Sequence, residues 1–471
     1  MSIHRLSLKC QLLAILSVLI IQTQSVAQQE PFDPTGFLSG ALGEKVESIP
    51  LPEDYYPGLR DILMQAGQQA PELVLLGIDS EISQQNLRIA RSRHYPTLGV
   101  GGNIGYRFTQ RQGEDNDGAA SASVSLGANR PLYFWGAVNA GIQKGEIDYE
   151  TRVLTSQQRF LNTVQTLRNQ YMDLILNEME LRNARLRKNN LEQQIAQKES
   201  NFDAGRISEE EYLSFLIQLD QSLVEIDELI VARDDVVDEF RRISGVTDDL
   251  ELPTGVAPID LDELQEAILA DDPNPDWVRQ TYSVQIRENE LEKQERDAII
   301  IRSRQRPNVS LSASISQAPV NTATQNDVDT IRYFAGLSVS WNIFDGFATQ
   351  ASRRINLLQG RRLESEMRND IDRLVNRERE VRNELMIMIR KQRLAERRFD
   401  LDSRIYSRVK SDYEVGRISS NEFRTTQINY YQQELFLHIA RAELLRAVGD
   451  YLTLLNEDRG LRFFQFQPTG V

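Results

Sequence analysis

The sequence predicts a mixed α and membrane-β fold, internally duplicated, in which very long coiled-coil helices carry four short β-strands per chain. Three observations predict it. Two halves match at a constant spacing, four short segments alternate strictly between apolar and polar residues, and two stretches of about 70 residues contain no proline.

The chain opens on an export signal: Arg5 and Lys9 form a positive start, Leu12 to Ile21 an apolar run, and Ser25-Val26-Ala27 a small-residue cleavage pattern. That run is about half the roughly 20 residues that span a bilayer, so cleavage before Gln28 is expected rather than anchoring. Cys10 is the only cysteine and leaves with the signal, which excludes disulfides, thiolate metal sites and a cysteine nucleophile in the mature chain. Net charge moves from −15 to −17 with the loss of Arg5 and Lys9, and an acidic chain of this kind repels nucleic acid. Elsewhere no run approaches 18 apolar residues, so a membrane-embedded part must be a closed β-barrel.

The duplication rests on separated anchors. Ala90-Arg91-Ser92-Arg93-His94-Tyr95-Pro96 returns as Ile301-Arg302-Ser303-Arg304-Gln305-Arg306-Pro307, and Phe202-Asp203-Ala204-Gly205-Arg206-Ile207-Ser208 as Tyr413-Glu414-Val415-Gly416-Arg417-Ile418-Ser419, both 211 residues apart. Pro131-Leu132-Tyr133 answers Asn342-Ile343-Phe344 at the same spacing. Gly136 and Gly346 lie 210 apart, which implies a one-residue slip in the turn. Upstream, Ala70-Pro71 resembles Asn274-Pro275, and the run to the next shared proline is 25 residues in one copy and 32 in the other, an expected gain of two helical turns.

Each half then reads as helix, strand, strand, long helix, turn, helix. The expected organisation starts with a signal peptide over 1–27 and an extension over 28–58. A first repeat follows over 59–245, with its strand pair at 97–132, a long helix to 205 and a return helix at 208–244. A linker over 246–260, punctuated by Pro253, Gly255 and Pro258, leads to the second repeat over 261–457. Its strand pair lies at 308–344, its long helix runs to 416 and its return helix occupies 419–456, ahead of a tail over 458–471.

In the strands, Leu98, Val100, Ile104, Tyr106 and Phe108 share one parity, and Ala120, Ala122, Val124, Leu126 and Ala128 alternate with Ser121, Ser123, Ser125 and Gly127. Val309, Leu311, Ala313 and Ile315 alternate with Ser310, Ser312, Ser314 and Ser316; Leu337, Val339, Trp341 and Ile343 alternate with Ser338, Ser340 and Asn342. Such strands suit a barrel with lipid outside and water inside, with polar loops over 110–118 and 318–332. A soluble sandwich needs a second layer that nothing here supplies. Four strands are too few for a barrel, since membrane barrels start at about eight, so several chains must pool theirs.

No proline occurs between Pro131 and Pro253 or between Pro319 and Pro468, so each long helix can reach roughly 100 Å. Their narrow apolar stripes, such as Val164, Leu167, Tyr171, Leu174 and Ile175, require lateral packing in a coiled-coil-like array. A solid filament is the plain alternative, but attachment to strand pairs and to a return helix argues against it. At the far end Gly205 and Gly416 suit left-handed helix termini, while Ser208 with Glu211 and Ser419 with Glu422 spell capping boxes. The two glutamates have a second reading, as carboxylate rings that favour cations at the mouth of a pore. Arg206 and Arg417 can pair with acids on neighbouring tips, worth about 1 kcal/mol or less if exposed.

Taken together, the Ala-Arg-x-x-x-x-Pro approach to the strands, Pro131-Leu132-Tyr133, Trp341-Asn342-Ile343-Phe344-Asp345-Gly346 and the paired glycine turns resemble the TolC-type outer-membrane efflux proteins over nearly all of the mature chain. The resemblance implies a homotrimer whose twelve pooled strands form an outer-membrane barrel above a periplasmic helical tunnel. It implies docking of the tips, through Gly205, Arg206, Ser208, Gly416, Arg417 and Ser419, to a periplasmic adaptor coupled to an inner-membrane transporter. By position, Tyr413 and Glu422 match an aromatic and a carboxylate that close the aperture, and Glu211 a polar partner in the first tip. Thr425 stands where the best-known members have a second carboxylate, and Ile418 where they have a basic residue.

The expected function is a passive outer-membrane duct for efflux or secretion. The other reading is a periplasmic helical scaffold or adaptor, although adaptors lack serine-alternating strand hairpins. An enzyme is not expected: His94 and His438 are the only histidines after signal removal, neither lies in a metal-spacing cluster or nucleophile motif, and no phosphate-binding glycine loop occurs. No catalytic residue, metal or cofactor is assigned.

Overall fold

A computed structural model describes residues 49, 51–109, 117–247, 259–270, 277–320 and 328–456. The signal peptide, most of the 28–58 extension, the centre of the 246–260 linker, both strand-loop tips and the tail lie outside the described residues.

Three helices come first, α1 (Pro52–Tyr55), α2 (Pro57–Gln69) and α3 (Pro71–Ser92), each opening on a proline whose missing N–H would have had no helical partner. Strands β1 (Thr97–Thr109) and β2 (Asp117–Tyr133) lead into α4 (Ala137–Asp203) and α5 (Glu209–Ser244). The second half supplies α6 (Leu261–Ala270), α7 (Trp277–Gln280), α8 (Tyr282–Ser303), β3 (Asn308–Val320), β4 (Val328–Ser340), α9 (Ala348–Glu414) and α10 (Ser420–Leu455). The long helices each have 67 residues, about 100 Å at 1.5 Å per residue, and the return helices 36.

The spacing of 211 holds at the first residue of every element from α3 onward, and this corrects two expectations. Helices α3 and α8 are both 22 residues long and Pro71 is equivalent to Tyr282, not to Pro275. The seven extra residues sit ahead of α8, around α7 and the Thr281 break, where Thr281 Oγ1 donates to Val278 O at 2.6 Å. A proline marks where a helix starts, not which turn it belongs to. Nor is there a slip at the barrel exit. Trp135 (φ 53°) and Gly136 (φ 81°) correspond to Gly346 (φ 64°) and Phe347 (φ 67°), two left-handed residues before each long helix, with the glycine on opposite sides of the pair. The side chain left in this strained conformation is fixed by its surroundings: Trp135 Nε1 donates to Pro307 O at 2.8 Å and Arg306 lies 4.7 Å over its ring, while Phe347 packs edge-on to Phe344 at 5.4 Å.

The sheet has the order β1-β2-β3-β4, antiparallel throughout. Its register lines up apolar rows across all four strands: Val100, Leu126, Ile315 and Tyr333 form one, and Leu98, Ala128, Ala313 and Ala335 another. Gly101, Ser125, Ser316 and Arg332 form a row on the other face, with Phe334 an aromatic exception there. The 318–332 loop is shorter than expected, because Ala318↔Thr330, Pro319↔Asp329 and Val320↔Val328 continue the ladder; backbone pairing runs on after side-chain alternation stops. A bulge between Pro131 and Tyr133 accommodates the proline.

Below the sheet, the lower half of α4 packs on α5 and α10, and that of α9 on α10; their upper halves share α8, with α3 beside α4. Lys144 Nζ bonds both oxygens of Asp297 at 2.6 and 2.8 Å across α4 and α8. Gly145 lets α3 approach, since a Cβ there would lie 2.3 Å from Ala90 Cβ. At mid-height Leu161, Val164, Leu167 and Tyr171 of α4 are buried with Leu444, Leu445, Val448 and Leu452 of α10 and with Leu59, Leu63 and Leu73. Ile49, Leu51 and Tyr56 join this core. Beside them Arg168 and Glu53 form a fully buried pair, Nε–Oε2 2.9 Å and Nη2–Oε1 2.5 Å.

Candidate functional site

The described part of the chain presents two structures built on one plan at the end remote from the sheet, the tips between α4 and α5 and between α9 and α10. Asp203 and Glu414 are the last helical residues, and the backbone then closes on a left-handed glycine, Gly205 (φ 66°) or Gly416 (φ 73°). Gly205 N donates to Phe202 O and Arg206 N to Asn201 O, both at 2.8 Å; Gly416 N donates to Tyr413 O at 2.9 Å and Arg417 N to Asp412 O at 2.8 Å. This paired pattern satisfies carbonyls that a helix end leaves open. Space around both glycines is open, so the left-handed backbone alone calls for glycine.

Ser208 and Ser419 cap the return helices, each hydroxyl accepting at 3.2 Å from the N–H of Glu211 or Glu422. The expected capping boxes are only half made. The Glu211 carboxylate turns to Lys198 Nζ at 2.5 Å, and that of Glu422 makes no hydrogen bond or ion pair among the described residues. Glu211 therefore ties the two limbs of its hairpin, whereas Glu422 is left facing solvent. Arg417 Nη1 lies 3.4 Å from Asp412 Oδ1 in an exposed pair, and Arg206 has no ion pair among the described residues.

Tyr413 stacks on Phe423 with ring centroids 4.6 Å apart and planes at 4°, and the first tip repeats the pair in reverse as Phe202 on Tyr212 at 5.3 Å. Sequence reasoning singled out Tyr413 without its partner. The signal was the aromatic at the same place in both copies of the repeat. In the second hairpin alone the stack continues through Tyr406, 6.0 Å from Phe423 and 4.6 Å from Tyr430, and ends on Phe399, 5.4 Å from Tyr430. Aromatic faces thus join the two limbs of each hairpin, alongside ion pairs such as Lys198–Glu211 in the first and Lys391–Glu443 in the second.

The tips are not level along the contact of α4 with α10. Gln194, nine residues before the end of α4, donates to Asn421 in the first turn of α10 at 3.3 Å, so the first tip projects about 12 Å further. Glu211 and Glu422 are consequently not brought together within one chain. A shallow open groove of about 620 Å³ lies beside the first tip, lined by Ser208, Glu209, Glu210, Leu213, Ser214 and Ile217. Among the described residues no cluster of three metal-ligating side chains occurs, and no helix is long and apolar enough to cross a membrane.

This geometry has known counterparts. The solved Campylobacter jejuni CmeC outer membrane channel matches with a TM-score of 0.68 at 13% identity, over 86% of this chain and 87% of that one. CusC, solved in a study of folding and transmembrane channel formation, matches at 0.65 and 14% identity over 85% and 93%. The open state of the Neisseria gonorrhoeae MtrE outer membrane channel matches at 0.62 and 16% identity over 87% and 92%. No sequence among the curated proteins matches. The sequence profile described as outer membrane efflux protein matches residues 62–233 and 282–456, which covers both copies of the repeat, and the chain therefore belongs to the outer membrane efflux protein family.

Proposed function

We propose that this outer-membrane efflux channel protein acts as the passive exit duct of a tripartite assembly. Three copies pool twelve strands into one barrel, and their helices continue it as a periplasmic tunnel. The tips meet a periplasmic adaptor joined to an inner-membrane transporter, which supplies the energy. The observation that carries this reading is the four-stranded sheet with an exposed apolar face and edge strands β1 and β4 that have no second neighbour among the described residues. Val100 and Ile104 are 78% and 93% exposed there, which only lipid makes tolerable, and open edges demand strands from other copies. Aromatic residues Tyr133, Trp341, Phe344 and Phe347 stand exposed at the helix end of the sheet, as expected at a membrane interface.

The tips are the movable end. Gly205, Arg206, Ser208, Gly416, Arg417 and Ser419 shape the surface offered to the adaptor, and Glu211, Tyr413 and Glu422 are the groups proposed to hold the aperture. Exposed polar contacts of this kind are weak and salt-sensitive, so hairpins can slide apart at small cost. Chemistry is no part of this role. The test is conductance in planar lipid bilayers: Tyr413→Ala combined with Glu422→Ala is expected to raise single-channel conductance above that of the unmodified protein. Absence of any conductance in every form overturns the duct, and recovery of the protein as a soluble periplasmic monomer favours the scaffold instead.

A further inference from the structure

The four tunnel helices of one chain differ sharply in charge. Helix α4 carries nine basic and nine acidic residues, and α10 three basic and four acidic. Helix α5 carries eleven acidic and three basic residues, whereas α9 carries seventeen basic and twelve acidic. The lower wall has the order α5, α4, α10, α9, because α5 packs on α4, α4 on α10 and α10 on α9. The two near-neutral helices are thus inside the protomer, and the strongly acidic α5 and the basic α9, whose 36 residues nearest the tip (379–414) hold ten basic and seven acidic, are its two outer edges.

Both edges are also apolar at heptad spacing. On α5 Ile217, Val224 and Val231 are exposed, with Leu213 ahead of them; on α9 Ile387, Leu394 and Leu401 are exposed, with Ile405 beyond. Spacings of three and four residues put Asp220, Asp227 and Glu228 on the α5 stripe and Arg397, Arg398, Arg404 and Arg408 on the α9 stripe. Except for Arg404, which pairs with Asp400 of its own helix, none of these makes an ion pair or side-chain hydrogen bond among the described residues. An apolar seam flanked by charges of one sign is the half of a coiled coil that lacks its other half.

We infer that the acidic edge α5 of one copy docks against the basic edge α9 of the next, so that opposite charge selects a head-to-tail contact between identical chains and closes the tunnel wall. Like edges repel, so a two-fold pairing of α5 with α5 or α9 with α9 is disfavoured, and only a ring satisfies every edge. This deepens the duct reading and rests on its assembly of several copies. The occupant is a second copy of this chain, because the two faces match each other in length, heptad period and sign.

The test uses the full-length protein purified in detergent, whose only cysteine, Cys10, belongs to the expected signal. Val224→Cys is combined in turn with Leu394→Cys, Leu401→Cys and Arg408→Cys, which cover successive heptad registers. Oxidation is expected to give covalent dimers and trimers with at least one pair. Charge reversal by R397E, R398E and R404E, with R408E added in the pairs that leave residue 408 unchanged, is expected to lower that yield about tenfold, and addition of D220R, D227R and E228R to restore it. A trimer that forms no crosslink with any pair, or in which reversal has no effect, overturns the seam and leaves the duct standing. Failure of the double reversal to restore what the single reversal removes also overturns it. A monomeric unmodified protein overturns both.

Discussion

At the scale of single residues, similar glycines have different reasons to exist. Gly205 has a left-handed backbone and open space around it, so Gly205→Ala is expected to cost only the backbone strain, about 1 kcal/mol. Gly245, which ends α5 at φ 72°, lies against the α2–α3 junction, where a Cβ would stand 2.4 Å from Gln69 O. Gly245→Ala adds a clash with rigid backbone and is expected to cost about 3 kcal/mol, read as a lower thermal midpoint of the helical circular dichroism in detergent. Only the first role was legible in the sequence, where Gly-Arg-Ile-Ser recurs; Gly245 stood outside every anchor, because its constraint comes from residues far away in the chain. His438 was legible only as a histidine without a motif. Burial, with Arg441 and Arg182 adding to it, pushes its imidazole down to about 4. A histidine depressed in the fold protonates first in the unfolded chain, so its contribution to stability is present above about pH 6.5 and is lost as pH falls towards 4. The loss is on the order of 3 kcal/mol per chain. His438→Phe is expected to flatten that part of the acid profile of the thermal midpoint. Asp450, whose carboxyl burial raises, acts in the opposite sense and persists in the variant. A profile of unchanged slope in His438→Phe would assign the acid sensitivity elsewhere.

At the scale of elements, strand alternation and proline-free length announced the sheet and the long helices, since both follow from local patterns. What escaped was what depends on contact between elements. The segment around residues 49–56 carried no interpretable pattern, yet it supplies Ile49, Leu51 and Tyr56 to the mid-height core and Glu53 to the buried pair with Arg168. Glu53 is one short carboxylate in an ordinary-looking stretch; only burial of Arg168 on α4 makes it indispensable. Glu53→Ala leaves a desolvated guanidinium behind and is expected to cost about 3–5 kcal/mol, with faster amide hydrogen exchange in α1 and the adjoining face of α4. Replacing both members, Glu53→Leu with Arg168→Met, is expected to cost much less, and an equal loss in the two cases would show that packing rather than charge holds the segment. The aromatic stack from Tyr413 to Phe399 was hidden for the same reason: Phe399, Tyr406 and Tyr413 recur every seven residues on α9 and Phe423 and Tyr430 do so on α10, but neither row alone shows that the two interleave.

At the scale of the whole molecule, the duplication is regular in backbone and divergent in surface. From α3 onward the element lengths match except for β2 (17 residues) and β4 (13), so the two halves serve as similar scaffolding, while Arg-rich α9 and acid-rich α5 make their outer edges different. The sheet shows the same economy across its two faces, and its register allows the membrane-facing side to be tested by a matched pair. Val100 belongs to the row Val100, Leu126, Ile315 and Tyr333, and Ser312 to the opposite-face row Thr97, Asn129, Ser312 and Gly336. Because strands have a period of two, neither substitution changes pairing or register. Arginine on the lipid side costs about 2–4 kcal/mol near the bilayer midplane, hence on the order of 10 kcal/mol for three copies, whereas a lumen position is solvated. Val100→Arg is therefore expected to abolish recovery of trimer from the outer-membrane fraction, and Ser312→Arg to leave it close to that of the unmodified protein. Equal recovery of the two variants would place water on both faces and remove the reason for three chains to join their strands. Loss only in Ser312→Arg would turn the sheet inside out.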